Sequence, residues 1–422
     1  MSGLSRRSFL NASVVAVASA TALSARFARA QTALEQLIDP TLTGESFWNQ
    51  VRQQFLFTEE KVPMNAANLC PSFSRVADEV SALTVDIDRD CSFNNRAKFS
   101  SLKELARERI ASQLNVSGDE IALVRNTSEA NNTIISGLDL KAGDEVVIWQ
   151  ENHPTNHVAW QVRAARQGYT VRVVETPSPL RSPQDLVDAF MARITDRTRV
   201  LALTHVSNVS GIKLPLAELV AAAHARGIYV HVDGAQTWGA MSLDLSALAV
   251  DSFTASAHKW YMGPKEVGLL FVKAENIERI WPLTVASGWG SGVQTRQAGA
   301  RKFESLGQRD DAALAALGLT AAIHDAIGPE RIERRIVELS QKLKQGVAGS
   351  GLTLVTPMAQ ELSFGVCIIA VPDGRAGAIA DRLYNDFGIA GAATGGLRLC
   401  PGIYNMPDHI NRAIVAAGAL LV

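Results

Sequence analysis

From residue 121 onward, short apolar runs alternate with longer segments of helical periodicity, and that alternation predicts the fold. Ile121-Ala-Leu-Val124, Glu145-Val-Val-Ile-Trp149 and the stretches 171–174, 199–204, 228–232, 252–254 and 267–272 read as strands. Between them, 128–137, 155–167, 183–194 and 216–226 carry apolar residues at helical spacing. Apolar strands alternating with helices predict a mostly parallel sheet covered on both faces. In such sheets ligands sit outside the carboxyl ends of the strands. Upstream, 44–60 reads as a short amphipathic helix and 62–68 as an extended segment. The stretch 100–115 has Leu102, Leu105, Ala106, Ile110 and Leu114 on one helical face. After about residue 310 the pattern changes to two long helices, 310–327 and 329–345, then strand, helix and strand. That change predicts a smaller α+β C-terminal domain. The expected division is 1–30 a leader, 31–75 a segment packing with the small domain, 76–315 the large domain and 316–422 the small domain.

Composition alters this picture little. The chain has 422 residues, long enough for a large and a smaller domain, with 47% hydrophobic and 20% charged residues. A net charge of -1 gives no reason to expect nucleic acid or an anionic membrane as partner. The N-terminus adds more. Ser5-Arg-Arg-Ser-Phe-Leu10 precedes a weakly apolar run, 12–23, and the small-x-small site Ala28-Arg-Ala30. The run is too short for a spanning helix, so no stable membrane anchor is expected. The arrangement resembles a twin-arginine export signal, which implies passage through that export machinery, cleavage after Ala30 and a periplasmic product. Four cysteines, Cys70, Cys91, Cys367 and Cys400, allow three full pairings or none. No CxxC spacing is present, and no metal is expected.

The candidate chemistry begins at Tyr229-Val-His-Val-Asp-Gly-Ala-Gln236, a buried strand ending on Asp233 and turning at Gly234. Lys259 follows in Ser256-Ala-His-Lys-Trp260. Pyridoxal phosphate needs an amine for its aldehyde and a carboxylate for its ring nitrogen, which this pair would supply. Asn126-Thr-Ser-Glu-Ala130 starts a helix after a strand, a place suited to a phosphate. Glu151-Asn-His-Pro-Thr-Asn156 brings His153, and Thr204-His-Val-Ser-Asn208-Val-Ser-Gly211 brings a polar loop, to the same edge of the sheet. Singly, each has a plainer use: a solvated lysine, a turn-capping carboxylate, a helix N-cap, a loop histidine.

Together these stretches resemble the class V family of pyridoxal-phosphate enzymes, which includes aminotransferases, cysteine desulfurases and isopenicillin N epimerase-like proteins. They occur in family order across nearly all of the chain after the leader. The resemblance implies a fold type I pyridoxal-phosphate transferase and a homodimer. Lys259 would hold the cofactor and shuttle the proton at the substrate α-carbon. Asp233 would pair with the ring nitrogen, His153 would stack on the ring, and Gln236 and Asn208 would approach the phenolic oxygen. Thr127, Ser128, Ser256 and His258 would hold the phosphate. Arg398, in Gly396-Leu-Arg-Leu-Cys-Pro-Gly-Ile-Tyr-Asn405, resembles the arginine that grips a substrate carboxylate.

Two departures qualify the resemblance. The stretch 388–396 lacks the nucleophilic cysteine of desulfurases. Gln308 stands where the family has a threonine that reaches the partner subunit's cofactor phosphate, and Arg309-Asp310 is closer to the epimerase-like branch. The expected activity is transamination or epimerisation of an amino-acid or peptide-like amine, such as a step in tailoring an exported siderophore. The alternatives are a desulfurase or lyase, and a binding protein that keeps the fold without the catalysis.

Overall fold

A computed structural model describes residues 38–286 and 299–421. The paired-arginine leader and the glycine-rich stretch 287–292 lie outside the described residues.

Seven strands form the central sheet: β2 (Ile121–Val124), β3 (Glu145–Trp149), β4 (Thr170–Val174), β5 (Thr198–Thr204), β6 (Tyr229–Asp233), β7 (Ser252–Ser256) and β8 (Gly268–Val272), in the order β2-β8-β7-β6-β5-β3-β4. Only β8 runs against the rest, antiparallel to both β7 and β2. Residues 257–267 join β7 to β8 without a crossover helix, and a direct return of that kind yields an antiparallel neighbour. Alternate strand residues feed separate cores. Leu123, Val147, Leu201, Val230, Val232 and Leu269 face one cluster, while Val124, Val146, Ile148, Ala202 and Leu270 face the other. Helices α4 (Thr127–Gly137) and α5 (Pro154–Gln167) cover the second face through Ala130, Ile134 and Trp160. Helices α3 (Phe93–Gln113), α6 (Pro183–Met191), α7 (Leu216–His224) and α8 (Asp311–Ile327) cover the first. The sheet is therefore mostly parallel with helices on both sides, as the alternation predicts.

Helix α2 (Ser74–Arg89) lies in a stretch with little sequence signal, because only Val76 and Leu83 are buried on it. Helix α3 begins at Phe93, where Ser92 caps the Asn95 amide, not near residue 100. The first helix, α1 (Gly44–Arg52), is shorter than 44–60. The chain then enters β1 (Val62–Pro63), which pairs in parallel with β10 (Ile389–Ala390). Strands β9 (Cys367–Ile369), β11 (Ala392–Ala393) and β12 (Leu397–Leu399) form an antiparallel sheet packed with α9 (Pro329–Gly349), α10 (Ala376–Phe387) and α11 (Pro407–Leu421). All four cysteines are free thiols; Cys70, Cys367 and Cys400 are buried.

Among the buried histidines are His205, His231 and His324. Burial pushes His205 down to about 3 and both His231 and His324 to about 4, against 6.5 for an exposed imidazole. On acidification the unfolded chain then binds more protons than the folded one. Stability should be full above about pH 6.5 and fall as pH drops toward about 4, by several kcal/mol for the three together. Denaturant midpoints measured across that window check this; a flat profile there contradicts it.

Candidate active site

Asp233 ends β6 at the carboxyl edge of the sheet and is almost fully buried. Its Oδ1 accepts the Ala235 amide at 3.0 Å, and its Oδ2 accepts Asn131 Nδ2 at 2.9 Å. The turn after it needs glycine, since a Cβ on Gly234 would lie 1.8 Å from the buried Phe253 ring.

Lys259 sits in the β7–β8 connection, which is pinned from several sides. The Met262 amide donates to the Lys259 carbonyl at 2.9 Å, Gly263 to Ala257 at 2.8 Å, and Cys70 to His258 at 2.9 Å. The lysine keeps some surface toward the cavity while protein packs around the rest of it. Burial pushes its amine below the ordinary lysine range; the nearby Asp233 charge opposes that shift and Arg398 adds to it. A less basic amine is more available as a nucleophile.

One end of the site is built for an anion. Asn126 caps α4 by accepting the Glu129 amide, and Thr127 bonds Ser256 twice, amide to Oγ at 2.8 Å and hydroxyl to hydroxyl at 2.6 Å. Strand β8 approaches this turn only because residue 268 is glycine; a Cβ there would lie 2.8 Å from the Asn126 Cα. Burial brings His258 down to about 4, so it is a neutral donor beside the helix N-terminus.

Asn68, Asn126, Thr127, Ser128, Asn131, His153, Thr155, Thr204, Asn208, Asp233, Ala235, Gln236, Ser256, His258 and Lys259 enclose one cavity of about 270 Å³. Nine of these are the residues named from sequence for the cofactor. Two details add to the sequence reading. The Gln236 amide is largely engaged, donating to the Ala67 carbonyl at 3.0 Å and accepting Trp260 Nε1 at 2.8 Å, so one N–H remains for the cavity. His153 caps α5 by accepting the Thr155 amide on Nδ1 at 3.3 Å, which places its proton on Nε2. Burial and the Lys259 charge hold His153 below the usual imidazole range.

Arg398 stands on β12 beside the cavity, 5% exposed. Its Nε donates to Asn65 Oδ1 at 3.2 Å and one terminal nitrogen to the Asn208 carbonyl at 3.0 Å. No carboxylate of the described residues pairs with it, so the guanidinium can take one from a ligand. Gln308 does not line the cavity; it is exposed and bonds Arg96 at 2.9 Å.

Sequence reasoning missed Asn65, Asn68 and Asn131. Asn131 was findable, four residues past Thr127 on the same face of α4. The donor set suits pyridoxal phosphate: hydroxyls, amides and a helix N-terminus for its phosphate, a buried carboxylate for its ring nitrogen, and a less basic amine for its aldehyde.

Known proteins bear on this arrangement. Residues 85–400 match the family model described as aminotransferase class-V. An isopenicillin N epimerase of Streptomyces clavuligerus is 28% identical over 88% of this chain and 98% of its own. A cysteine desulfurase of Cronobacter sakazakii is 35% identical, over 54% of this chain and 57% of its own. In fold, a cysteine desulfurase of Escherichia coli matches with a TM-score of 0.78 at 23% identity, over 90% of this chain and 99% of that one.

Proposed function

Because this chain belongs to the aminotransferase class-V family, whose cofactor is pyridoxal phosphate, we propose that it moves a proton at the α-carbon of an amino-acid or peptide-like amine, as an epimerase. The observation that carries this reading is a single cavity joining the half-buried, less basic Lys259 to Asp233, beside an Arg398 that has no carboxylate partner among the described residues. Similarity to an epimerase over nearly that enzyme's whole length favours epimerisation over transamination.

When bound, the cofactor supplies an electron sink that makes the α-proton removable. Lys259 would hold its aldehyde, Asp233 its ring nitrogen, and Thr127, Ser128, Ser256 and His258 its phosphate. His153 would cover the ring, with Asn208 and the remaining Gln236 N–H toward the phenolic oxygen. Arg398 orients the substrate by its carboxylate, which presents the α-carbon to Lys259. The Lys259 amine would take the α-proton from one face, and inversion follows when a solvent-exchanged proton is returned to the opposite face of the same carbon.

Sulfur transfer is the weaker reading. No cysteine lines the cavity among the described residues, and burial pushes the Cys70 and Cys367 thiols up to about 12. A nucleophilic cysteine needs its thiolate. Exposed Val158, Val162, Trp281 and Val285 support a homodimer. The leader supports export before the enzyme meets its substrate, and a siderophore-like peptide would suit that setting.

The test is incubation with candidate amines in deuterated water. Deuterium at an inverted α-carbon without 2-oxo acid is the expected result; a 2-oxo acid with an aminated cofactor would falsify epimerisation, and sulfide from cysteine would restore the desulfurase reading. Arg398→Gln should raise KM for a carboxylate substrate about 10- to 100-fold, with kcat changing less. An unchanged KM removes Arg398 from substrate binding.

A further inference from the structure

We propose that Asn131 and His231 form a positioning relay that fixes the carboxylate of Asp233 and keeps their shared proton on the cofactor's ring nitrogen; this rests on the function proposed above. Asn131 commits one amide N–H and its carbonyl oxygen to the relay. Its Nδ2 donates to Asp233 Oδ2 at 2.9 Å, while its Oδ1 faces His231 Nε2 at 2.9 Å and Thr254 Oγ1 at 2.6 Å. Asn131 is 3% exposed, and His231 and Thr254 are fully buried.

The proton positions follow from chemistry. A carboxylate only accepts, so Nδ2 must face Asp233. Oδ1 then needs donors, so His231 carries its proton on Nε2, and its Nδ1 accepts the Ser252 hydroxyl at 2.7 Å. Ser252, His231 and Asn131 thus donate in one direction, ending at Asp233, and each bond polarises the next. The other histidine tautomer would favour a turned amide, setting Oδ1 against the carboxylate. Burial holds His231 at about 4, which keeps the ring neutral.

The sheet builds this chain. His231 pairs with Ser252 and Asp233 with Thr254, two residues apart on both strands, so all four lie on the face covered by α4. With Asn131 and Ala235 donating, the carboxylate has less hold on a proton shared with a ring nitrogen in the cavity. His231 therefore acts on the cofactor without touching the cavity.

The test uses cofactor labelled with ¹⁵N in its ring. In the wild type the ring nitrogen should give the protonated signal. In Asn131→Leu and His231→Phe it should move toward neutral pyridine, and the Kd for pyridoxal phosphate should rise about tenfold, the loss of one charge-assisted hydrogen bond. His231→Gln can still donate to Asn131 and should restore both. Unchanged signals in Asn131→Leu and His231→Phe overturn the relay, and so does a His231→Gln that is as impaired as His231→Phe. Should His231→Phe not fold, Thr254→Val removes one donor to Asn131 at nearly constant shape; it should shift the signal less, in the same direction, and no shift overturns the relay. Cofactor-free protein separates this from the function itself. Histidine ¹⁵N spectra, assigned by the loss in His231→Gln, should show His231 as the neutral Nε2–H form. An Nδ1–H form or an imidazolium at neutral pH overturns the relay. Failure of the wild type to bind pyridoxal phosphate sinks the proposed function, and the tautomer still decides the relay.

Discussion

Lys259→Ala is expected to purify without the visible absorbance of a covalently held cofactor and to lose at least about 10³-fold in kcat. The proposed mechanism asks this one amine both to hold the cofactor's aldehyde and to carry the α-proton, and a positioned proton carrier alone is worth about 10²- to 10⁴-fold. The fold should not suffer. No hydrogen bond contributes to the lysine's shifted basicity, and burial penalises its charged form. Because the folded state disfavours that charge, the unfolded chain binds the proton more readily over a window below the ordinary lysine value of 10.5. Stability contributed here therefore rises with pH through that window, and alanine removes the dependence. A cofactor-free melting temperature equal to or above wild type is the expected control. A visible band that survives the substitution would show that another amine holds the cofactor.

The second large effect belongs to Asp233→Asn, expected to lower kcat/KM about 10³-fold, in the range for breaking a buried charge pair. Asparagine nearly preserves the shape but not the acceptors. Asp233 receives the Asn131 amide on one oxygen and the Ala235 amide on the other. Asparagine has a single oxygen, so one donor must lose its partner or meet an NH₂ group. It also offers the ring nitrogen no counter-charge. Steady-state kinetics with saturating pyridoxal phosphate check this. Activity within tenfold of wild type would show that Asp233 only shapes the turn.

The large sheet was legible because most of its strands are buried on both faces, which favours apolar runs; Ile121–Val124 and Glu145–Trp149 begin and end as predicted. Helix α2 was not, since its two buried residues are too few to make a period. At the site, Asp233, Lys259 and the Thr127 turn were readable because each follows a strand of that sheet. Asn65 and Asn68 were not, for they sit in an irregular segment far from the sheet in sequence. What brings them to the cavity is the pairing of Val62 with Ile389, which no local pattern announces. The commitments of Gln236 to Ala67 and Trp260 were invisible for the same reason.

That pairing has a consequence for how the protein is made. Arg398 is held by Asn65 across 333 positions of chain, and by Asn208 across 190. The Cys400 amide reaches back to Met64 at 2.7 Å. On a ribosome, residues 62–68 emerge early and must wait for the last strand of the small sheet before they have anything to pair with. The large sheet can assemble meanwhile, with Asp233 and Lys259 in place, but it lacks the wall that Asn68 provides and the grip of Arg398. Under the proposed function, substrate recognition thus becomes available only once β12 has been made, and a nascent chain stalled before β12 would carry the proposed chemistry without the means to choose what it acts on.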